Sequence, residues 1–338
     1  MIRSSINMLK YNNNYNNNFF SYTNIIFNNI IKISLLSFLL LFFSFSIHNV
    51  LVFGQKSNAT QLAGDFEDIN IVAVGDFYCN DKSEEIIENI ISIDPELIIT
   101  TGDHVKDEKT AKCWIEMSEE IKDKMKIAIG NHDTGSSKIF KQITKNHNLT
   151  NPYYSHDFKN IHLISLSTEH PFEEGSKQYK FIKSDLEKVS KNPNIDWIMV
   201  HNHKPLYSTK NDKDEAEELR NTYHPLFEKY NVDLVMSSHN QYYERTYPIL
   251  YNYQNDKQPV IIDYSKSNYY NTDGIMYLTV GTAGNELHDI EDKEDYYVIQ
   301  KERYGFLNLK LENNGKTTVG EFHTDKGKIL DSFELIKS

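Results

Sequence analysis

Residues 69–76 read INIVAVGD, an apolar run that ends in glycine and aspartate, and this stretch decides the fold. The pattern returns at 96–103 as ELIITTGD, and a third apolar run, MKIAIGN, occupies 125–131. Continuous apolar runs of this length are typical of strands that are buried on both faces of a sheet. The intervening segments 83–92 and 110–120 carry apolar residues at helical spacing. Strands that alternate with helices predict a largely parallel sheet with right-handed crossovers.

Beyond residue 152 the predicted elements become mixed. Residues 153–158 (YYSHDF) and 161–168 (IHLISLST) predict an antiparallel hairpin, and residues 245–338 consist mostly of strand-like runs. Between these regions the sequence predicts further helices and buried strands, at 175–190, 196–202, 213–230 and 233–238. This order predicts an α/β fold in which two mixed β-sheets pack face to face, with flanking helices.

The composition of the 338-residue chain is that of a globular protein, with 39% hydrophobic and 25% charged residues. Lys and Arg number 36 against 48 Asp and Glu, which gives a formal net charge of −12. An acidic surface repels polyanions, so the charge argues against nucleic acid as a partner. A small substrate that is held by local cations remains compatible with this charge.

The chain begins with segments that differ from the rest of the sequence. Residues 1–32 are polar and asparagine-rich, residues 33–53 are predicted as a signal peptide or membrane anchor, and residues 54–67 form a polar linker. The 15 residues of Ile33–Ile47 suit the apolar part of a signal peptide, whereas the 21 residues of 33–53 are enough for an anchor. The folded domain is predicted to occupy 68–338.

The distribution of charge around this apolar run predicts its orientation. The bases Arg3, Lys10 and Lys32 precede the run, and residues 1–53 contain no acid. The excess of positive charge on the cytoplasmic side of membrane segments places the domain outside the cytoplasm. We therefore expect an extracytoplasmic protein, either secreted or attached to the membrane through an uncleaved N-terminal segment, with its oligomeric state left open.

Polar residues follow each predicted strand, at the points where the apolar runs stop. They are Asp76, Asp103, Asn131, His132, Asp133, His203 and His239. Ligands of open α/β sheets bind at the carboxyl ends of the strands, because the loops there leave side chains free to converge. His201 and His203 alternate along one predicted strand and therefore point to the same side, and the resemblance described below favours His203, which precedes Lys-Pro, as the ligand.

These residue types point to a metal-dependent reaction. A carboxylate such as Asp103 can bridge two cations, and carboxylate, carboxamide and imidazole ligands without a thiolate favour Mn, Fe or Zn. His132 follows a candidate ligand, so it is placed to protonate a leaving alkoxide. Asp133 is predicted to orient His132, as carboxylates orient other catalytic imidazoles.

The motifs VGDF, TGDH, GNHD, HNHKP and SHNQYYER, together with GTAG at 281–284, resemble those of calcineurin-like metallophosphoesterases. Within that family the chain is most similar to the purple acid phosphatase branch, over roughly residues 69–290. The resemblance implies a βαββαβ-type sandwich with two metal ions at the strand ends. It also implies hydrolysis of small phosphate mono- or diesters by metal-bound hydroxide.

The resemblance assigns the ligands residue by residue. One metal would be held by Asp103, Asn131, His203 and His239, which are all present. The other would be held by Asp76, by Asp103 as the bridge, by a tyrosine and by a second histidine. Lys106 and Gln241 stand at the last two positions, so we expect one or two metal ions per chain, with Gln241 as the altered ligand. Without that tyrosine the purple colour of the branch is not expected.

Several alternatives follow from these changes. Tyr78 or His104 are candidates to restore ligation, and Cys79 and Cys113 are predicted either to form a disulfide at the rim of the site or to remain thiols. The altered ligands also allow a degenerate binding or scaffold protein with one metal or none, or a metal-independent adhesion domain that reuses the fold. Glu244 and Arg245 are expected to form an ion pair behind the site.

Overall fold

The structure is a computed structural model that describes residues 68–209, 213–290 and 293–338. The predicted segments 1–32, 33–53 and 54–67 lie outside the described residues. In the parts of the chain that are described, no helix combines the length and the apolar character that a membrane span requires.

The described strands agree with the buried runs of the sequence. They are β1 Ile69–Val74, β2 Leu97–Thr100, β3 Met125–Ile127, β4 Tyr154–Phe158, β5 Ile161–Ser165, β6 Trp197–His201, β7 Leu234–Ser237, β8 Tyr243–Thr246, β9 Ile249–Leu250, β10 Val260–Ile261, β11 Asn268–Tyr270, β12 Met276–Val280, β13 Tyr297–Lys301, β14 Gly305–Glu312, β15 Thr317–Thr324 and β16 Ile329–Ile336. The helices are α1 Asp81–Ile93, α2 Glu108–Met117, α3 Ser137–Asn146, α4 Lys177–Val189 and α5 Lys213–Lys229, with a 3-10 turn at Lys122–Lys124.

Fourteen of the described strands form two seven-stranded mixed sheets, which confirms the predicted fold class, and β9 and β10 form a separate two-stranded sheet. The first sheet has the order β11-β16-β15-β14-β1-β2-β3, and the second has the order β13-β8-β12-β7-β6-β5-β4. Strands β1, β2 and β3 are parallel, as are β5, β6, β7 and β12, and β4–β5 is the predicted antiparallel hairpin. Each sheet thus has a parallel block whose carboxyl ends carry the polar motifs.

Alternation along the second sheet divides its apolar residues between two cores. Leu163 and Met199 belong to a core shared with β1 and β2 of the first sheet, whereas Ile164 and Val200 pack with α4 and α5 on the outer face. Side chains of consecutive strand residues point to opposite faces, so one strand contributes to both cores. This double burial explains why the strands read as continuous apolar runs rather than as alternating ones.

The predicted ion pair between Glu244 and Arg245 is wrong, because consecutive residues of a strand point to opposite faces of the sheet. The two residues are neighbours on β8, and their side chains therefore point in opposite directions. Arg245 pairs instead with Asp331, with 2.6 Å between Nε and Oδ2, and Glu244 accepts a hydrogen bond of 2.8 Å from Thr209 Oγ1.

Candidate metal centre

The turns after β1, β2 and β7 bring the predicted ligands together. Asp76, Asp103 and His239 each have a positive φ, of 63°, 51° and 66°. Non-glycine residues rarely adopt this left-handed conformation, and such backbone strain persists mainly where the surrounding structure enforces it, as at functional sites. The chain therefore bends sharply at three predicted ligands.

Glycines permit the close approach of these turns. Gly102 has a φ of 97°, and a Cβ atom there would lie 2.7 Å from Nδ1 of His203. A Cβ atom on Gly130 would collide with the carboxylate of Asp103. Side chains at these two positions would push the turns apart, which explains the glycines directly before Asp103 and Asn131.

Four of the predicted ligand atoms converge on one point. Oδ1 of Asn131 lies 2.9 Å from Nε2 of His203 and 3.1 Å from Nδ1 of His239. Nε2 of His203 lies 3.3 Å from Nδ1 of His239 and 3.3 Å from Oδ2 of Asp103. The ligand atoms of Asp103, His203 and His239 all lie within 4.8 Å of one another.

The hydrogen bonds of His203 show that this cluster fits a cation. Nδ1 lies 2.9 Å from the carbonyl oxygen of Thr101, so Nδ1 carries the proton and donates it. Nε2 faces the oxygens of Asn131 and Asp103 and the ring nitrogen of His239, where it can offer a lone pair once a metal ion displaces its proton. Acceptors that face one another in a buried site repel unless a proton or a metal ion lies between them, and a backbone carbonyl is a usual hydrogen-bond partner of a metal-bound imidazole.

The electrostatics of His203 agree with this interpretation. The ring is fully buried, and burial opposes a positive charge. The carboxylates of Asp103 and Asp76 nevertheless outweigh burial and raise the pKa of His203 to about 10. The site thus stabilises one added positive charge at this position.

The side of the site near Asp76 is different, because donors already occupy the carboxylate. Nε2 of Gln241 donates to Oδ1 of Asp76 over 3.0 Å, and the backbone N–H of His239 donates to Oδ2 over 2.9 Å. Nε2 of Gln241 also donates to the carbonyl oxygen of His239 over 2.9 Å. Burial and the charge of Asp103 raise the pKa of Asp76 to about 6. The carboxylate of Asp76 thus faces N–H groups of Gln241 and His239, whereas the other side of the site presents the ring nitrogens of His203 and His239.

Lys106 and Tyr78 form the rim beside Asp76. Lys106 is exposed, and its Nζ lies 6.0 Å from the centre of the Tyr78 ring. Burial and the charges of Asp103 and Asp76 raise the pKa of Tyr78 far above its ordinary value, and its hydroxyl is hydrogen-bonded to Asp103. Tyr78 therefore reaches the site as a protonated donor.

His132 lies at the opening, next to the convergent ligands. Its backbone N–H donates to Oδ1 of Asp103 over 2.9 Å, and its Nδ1 lies 3.2 Å from the carbonyl oxygen of Lys106. The ring of Tyr78 packs edge-on against it, with 5.1 Å between the ring centres. Because Nδ1 donates to a carbonyl, Nε2 is the nitrogen that can exchange a proton with a bound molecule.

The structure corrects the predicted partner of Asp133. Its Oδ2 lies 2.9 Å from Nδ1 of His104, and its two oxygens also accept the backbone N–H groups of His104 and Gly130. The carboxylate is buried behind the turn and does not orient His132. Nε2 of His104 lies 2.6 Å from Oγ1 of Thr100, so both ring nitrogens are used and His104 is not a substitute ligand.

Sequence reasoning missed the residues that orient His203 and pack behind Asp76. Thr101 and Ser238 place an oxygen at 2.9 and 3.2 Å from Nδ1 of His203. A Cβ atom on Gly281, in GTAG, would lie 2.9 Å from Oδ2 of Asp76. The available signals were the hydroxyl residues Thr101 and Ser238, which stand just before Gly102-Asp103 and His239, and the glycine of GTAG, but none of them identifies its partner without the fold.

The two cysteines form a disulfide beside the same turn. Cys79 and Cys113 are bonded, with 6.2 Å between their Cα atoms. The bond joins the turn that carries Asp76 and Tyr78 to helix α2. Of the two predicted states, the disulfide is therefore the one in the structure.

Comparison with known proteins agrees with this geometry. The model of the calcineurin-like phosphoesterase family matches residues 69–243, and that of the iron/zinc purple acid phosphatase-like protein C family matches residues 274–332. Acid phosphatase type 7 of Danio rerio is 30% identical over 213 residues, covering 55% of this chain and 47% of that protein. A protein of Arabidopsis thaliana named probable inactive purple acid phosphatase 27 is 30% identical, covering 55% of this chain and 30% of its own length.

A solved structure supports the fold. The purple acid phosphatase PPD1 of yellow lupin (Lupinus luteus) superposes with a TM-score of 0.65 at 20% identity, covering 80% of this chain and 54% of that one. The chain spans about half the length of the first curated relatives that it matches. The motifs predicted from the sequence thus lie within the matched regions, and the chain belongs to the calcineurin-like phosphoesterase family, with a purple acid phosphatase-like C-terminal region.

Proposed function

We propose that the chain is a metal-dependent phosphoesterase that hydrolyses small phosphate mono- or diesters. The observation that carries this proposal is the convergence of Asn131, His203, His239 and Asp103 on one point, with His132 beside them at the opening. A purely structural metal would not require an imidazole at the opening. Family membership supports the same reaction type.

Asp103, Asn131, His203 and His239 would hold the metal ion. Their oxygen and imidazole ligands suit Mn, Fe or Zn. When bound, the ion would polarise a phosphoryl oxygen and make a water molecule more acidic. Thr101 keeps the ring of His203 oriented for this role through the hydrogen bond to Nδ1.

His132 and Lys106 would act directly on the substrate. The backbone N–H bond to Asp103 fixes the position of His132, and its Nδ1 is directed to the carbonyl of Lys106. Nε2 is therefore left to donate a proton to the leaving oxygen of the ester. The exposed ammonium group of Lys106 would attract the phosphate to the opening.

We place the domain, residues 68–338, outside the cytoplasm. The disulfide between Cys79 and Cys113 supports this location, because disulfides persist in oxidising compartments. The charge and hydropathy of residues 1–53 support it independently. Whether the segment 33–53 is cleaved or retained decides between a secreted and an anchored protein.

A second candidate is a binding or scaffold protein that retains the metal without turnover. The observation that favours it is the state of Gln241, which donates to Asp76 where the family has a histidine ligand. The chain also has a relative whose name describes it as probably inactive. Metal content and turnover, measured on the same set of proteins, separate the two candidates.

The test compares Asn131→Ala with His132→Ala in the wild-type background. Asn131→Ala removes a converging ligand, so metal content per chain should fall. His132→Ala should keep the metal and lower turnover of an aryl phosphate and an aryl phosphodiester by about 10²–10⁴. Metal content is measured by elemental analysis, and turnover by release of the aryl alcohol. A wild-type chain that holds metal but hydrolyses neither ester would support the binding protein instead.

A further inference from the structure

The two sides of the metal centre satisfy their polar atoms in opposite ways. On the His203 side, Nε2 of His203, Oδ1 of Asn131 and Nδ1 of His239 lie 2.9–3.3 Å from one another. Nδ1 of His203 is already directed to a carbonyl, so Nε2 is the nitrogen that can exchange its proton for a metal ion. A metal ion between these three atoms would be coordinated by all of them.

On the Asp76 side, N–H and O–H groups occupy the carboxylate oxygens. Oδ1 and Oδ2 of Asp76 accept from Gln241 Nε2 and from the backbone of His239. Oδ1 of Asp103 accepts the backbone N–H of His132, and Tyr78 is hydrogen-bonded to the same carboxylate. Carboxylate oxygens that already accept hydrogen bonds from N–H and O–H groups do not need a cation to offset their negative charge and lone pairs.

The orientation of the Gln241 amide follows from its neighbours. Its Nε2 lies 3.0 Å from a carboxylate oxygen of Asp76 and 2.9 Å from the carbonyl oxygen of His239. The carbonyl oxygen of His239 only accepts hydrogen bonds, and so does the ionised carboxylate of Asp76, so the NH₂ end of the amide faces them. A histidine nitrogen at this position could offer a lone pair, whereas the NH₂ group of glutamine cannot.

We infer that the Gln241 amide takes the place of a second cation, so that the chain binds one metal ion, at Asp103, Asn131, His203 and His239. The inference rests on the proposed function for that first ion, and it adds the number of metal ions that the site holds. Lys106 reinforces the effect, because its ammonium group lies 6.0 Å from the ring of Tyr78, at the rim of the same side. The chain thus departs from the two-metal centre that its family resemblance implies.

The test counts metal ions in the whole chain and in two variants of Gln241. Each protein is equilibrated with excess Mn, Fe or Zn and desalted, and metal per folded chain is determined by elemental analysis. Wild type should hold one ion. Gln241→His restores a nitrogen ligand, and the nearly isosteric Gln241→Glu removes both N–H donors and adds a carboxylate. At least one of these variants, when folded, should hold two ions.

Gln178→Glu is the matched control. Gln178 is also buried, and its Nε2 donates to two carbonyl oxygens, of Ser167 and Pro171, away from the ligands. This variant should still hold one ion. Two ions in wild type would overturn the inference while leaving the proposed function intact. One ion in wild type and in both folded Gln241 variants would overturn the role of Gln241, and no ion in wild type would overturn the proposed function as well.

Discussion

Asp103 and His104 are consecutive residues, yet they belong to two buried imidazole–carboxylate pairs with different properties. Asp103 faces His203, with 3.3 Å between Oδ2 and Nε2, whereas His104 faces Asp133, with 2.9 Å between Nδ1 and Oδ2. In the first pair the imidazole nitrogen also faces the oxygen of Asn131. In the second pair both ring nitrogens of His104 are used. Several potential metal ligands face one another around His203, as expected of a cation site. His104 has a hydrogen-bond partner at each ring nitrogen, as expected of a residue with a structural role.

The surroundings of the two pairs support this distinction. The ring of His104 packs against Trp114 and Phe77, with ring centres 5.0 and 6.3 Å away. Its carboxylate partner also binds the backbone N–H of Gly130, which fixes the turn that carries Asn131. The His104–Asp133 pair therefore acts on the metal centre only by holding its backbone in place.

The largest expected effect is that of His104→Ala on stability. Asp133 keeps its two backbone donors in this variant but loses the imidazole, and a cavity remains beside Trp114, so the free energy of unfolding should fall by about 3 kcal/mol. Chemical denaturation with metal removed by a chelator measures this effect separately from metal binding. A loss below about 1 kcal/mol, the size of an average hydrogen bond, would contradict the structural role.

His203→Ala should have its main effect on metal binding. Loss of a direct ligand should weaken the affinity for Zn or Mn by at least roughly 100-fold, the largest loss typical when a residue that hydrogen-bonds to a metal ligand is removed. His201→Ala is the matched control, because His201 is equally buried at the end of β6, two residues before His203, and its Nδ1 lies 3.2 Å from the carbonyl of Thr100. Competitive metal titration of the folded variants should show a large change only for His203→Ala. Equal losses in both variants would contradict the ligand assignment.

The smallest effect concerns a third imidazole, His162, which is hydrogen-bonded to Asp157 and Asp185 far from the opening of the metal centre. Burial lowers the pKa of His162, but the two carboxylates outweigh it and raise the pKa above its ordinary value. A raised pKa in the folded state stabilises the protein fully below about pH 6.5, and this contribution disappears as the pH rises through the raised pKa.

His162→Gln should remove this part of the pH dependence. The unfolding free energies of wild type and variant, measured on both sides of the raised pKa, should differ more at the lower pH. A difference that is constant with pH would show that the imidazole is not charged in the folded protein. Metal binding at neutral pH should be unchanged, since His162 contacts none of the proposed ligands.

The sequence allowed the central strands, and the polar residues that converge at their ends, to be predicted because both depend on local patterns. Apolar runs that are buried on both faces fixed β1, β2 and β6, and the polar residues that follow them could be located by position alone. Helix α3 was missed because only Ile139 and Ile143 of its ten residues are buried. Strand β8 was missed because YERT contains charged residues that are neutralised by partners distant in the sequence.

The partners of side chains at a sharp turn could not be predicted in the same way. Asp133 follows His132 directly, and adjacency suggested a functional pair. The turn points the carboxylate backward to His104, a residue from the preceding strand end. The donor role of Gln241 was equally inaccessible, because an amide is a ligand or a donor according to what lies opposite each end.

The position of β14 beside β1 has a consequence for how the protein is made. Strand β1, which leads into the turn of Asp76, pairs on one side with β2 and on the other with β14, in register from Ile69 opposite Leu311 to Ala73 opposite Leu307. During synthesis the residues of β14 leave the ribosome long after those of β1. The first sheet is incomplete until then. A nascent chain that stops before residue 305 therefore leaves one edge of β1 unpaired, and an unpaired apolar strand edge is a known route to aggregation.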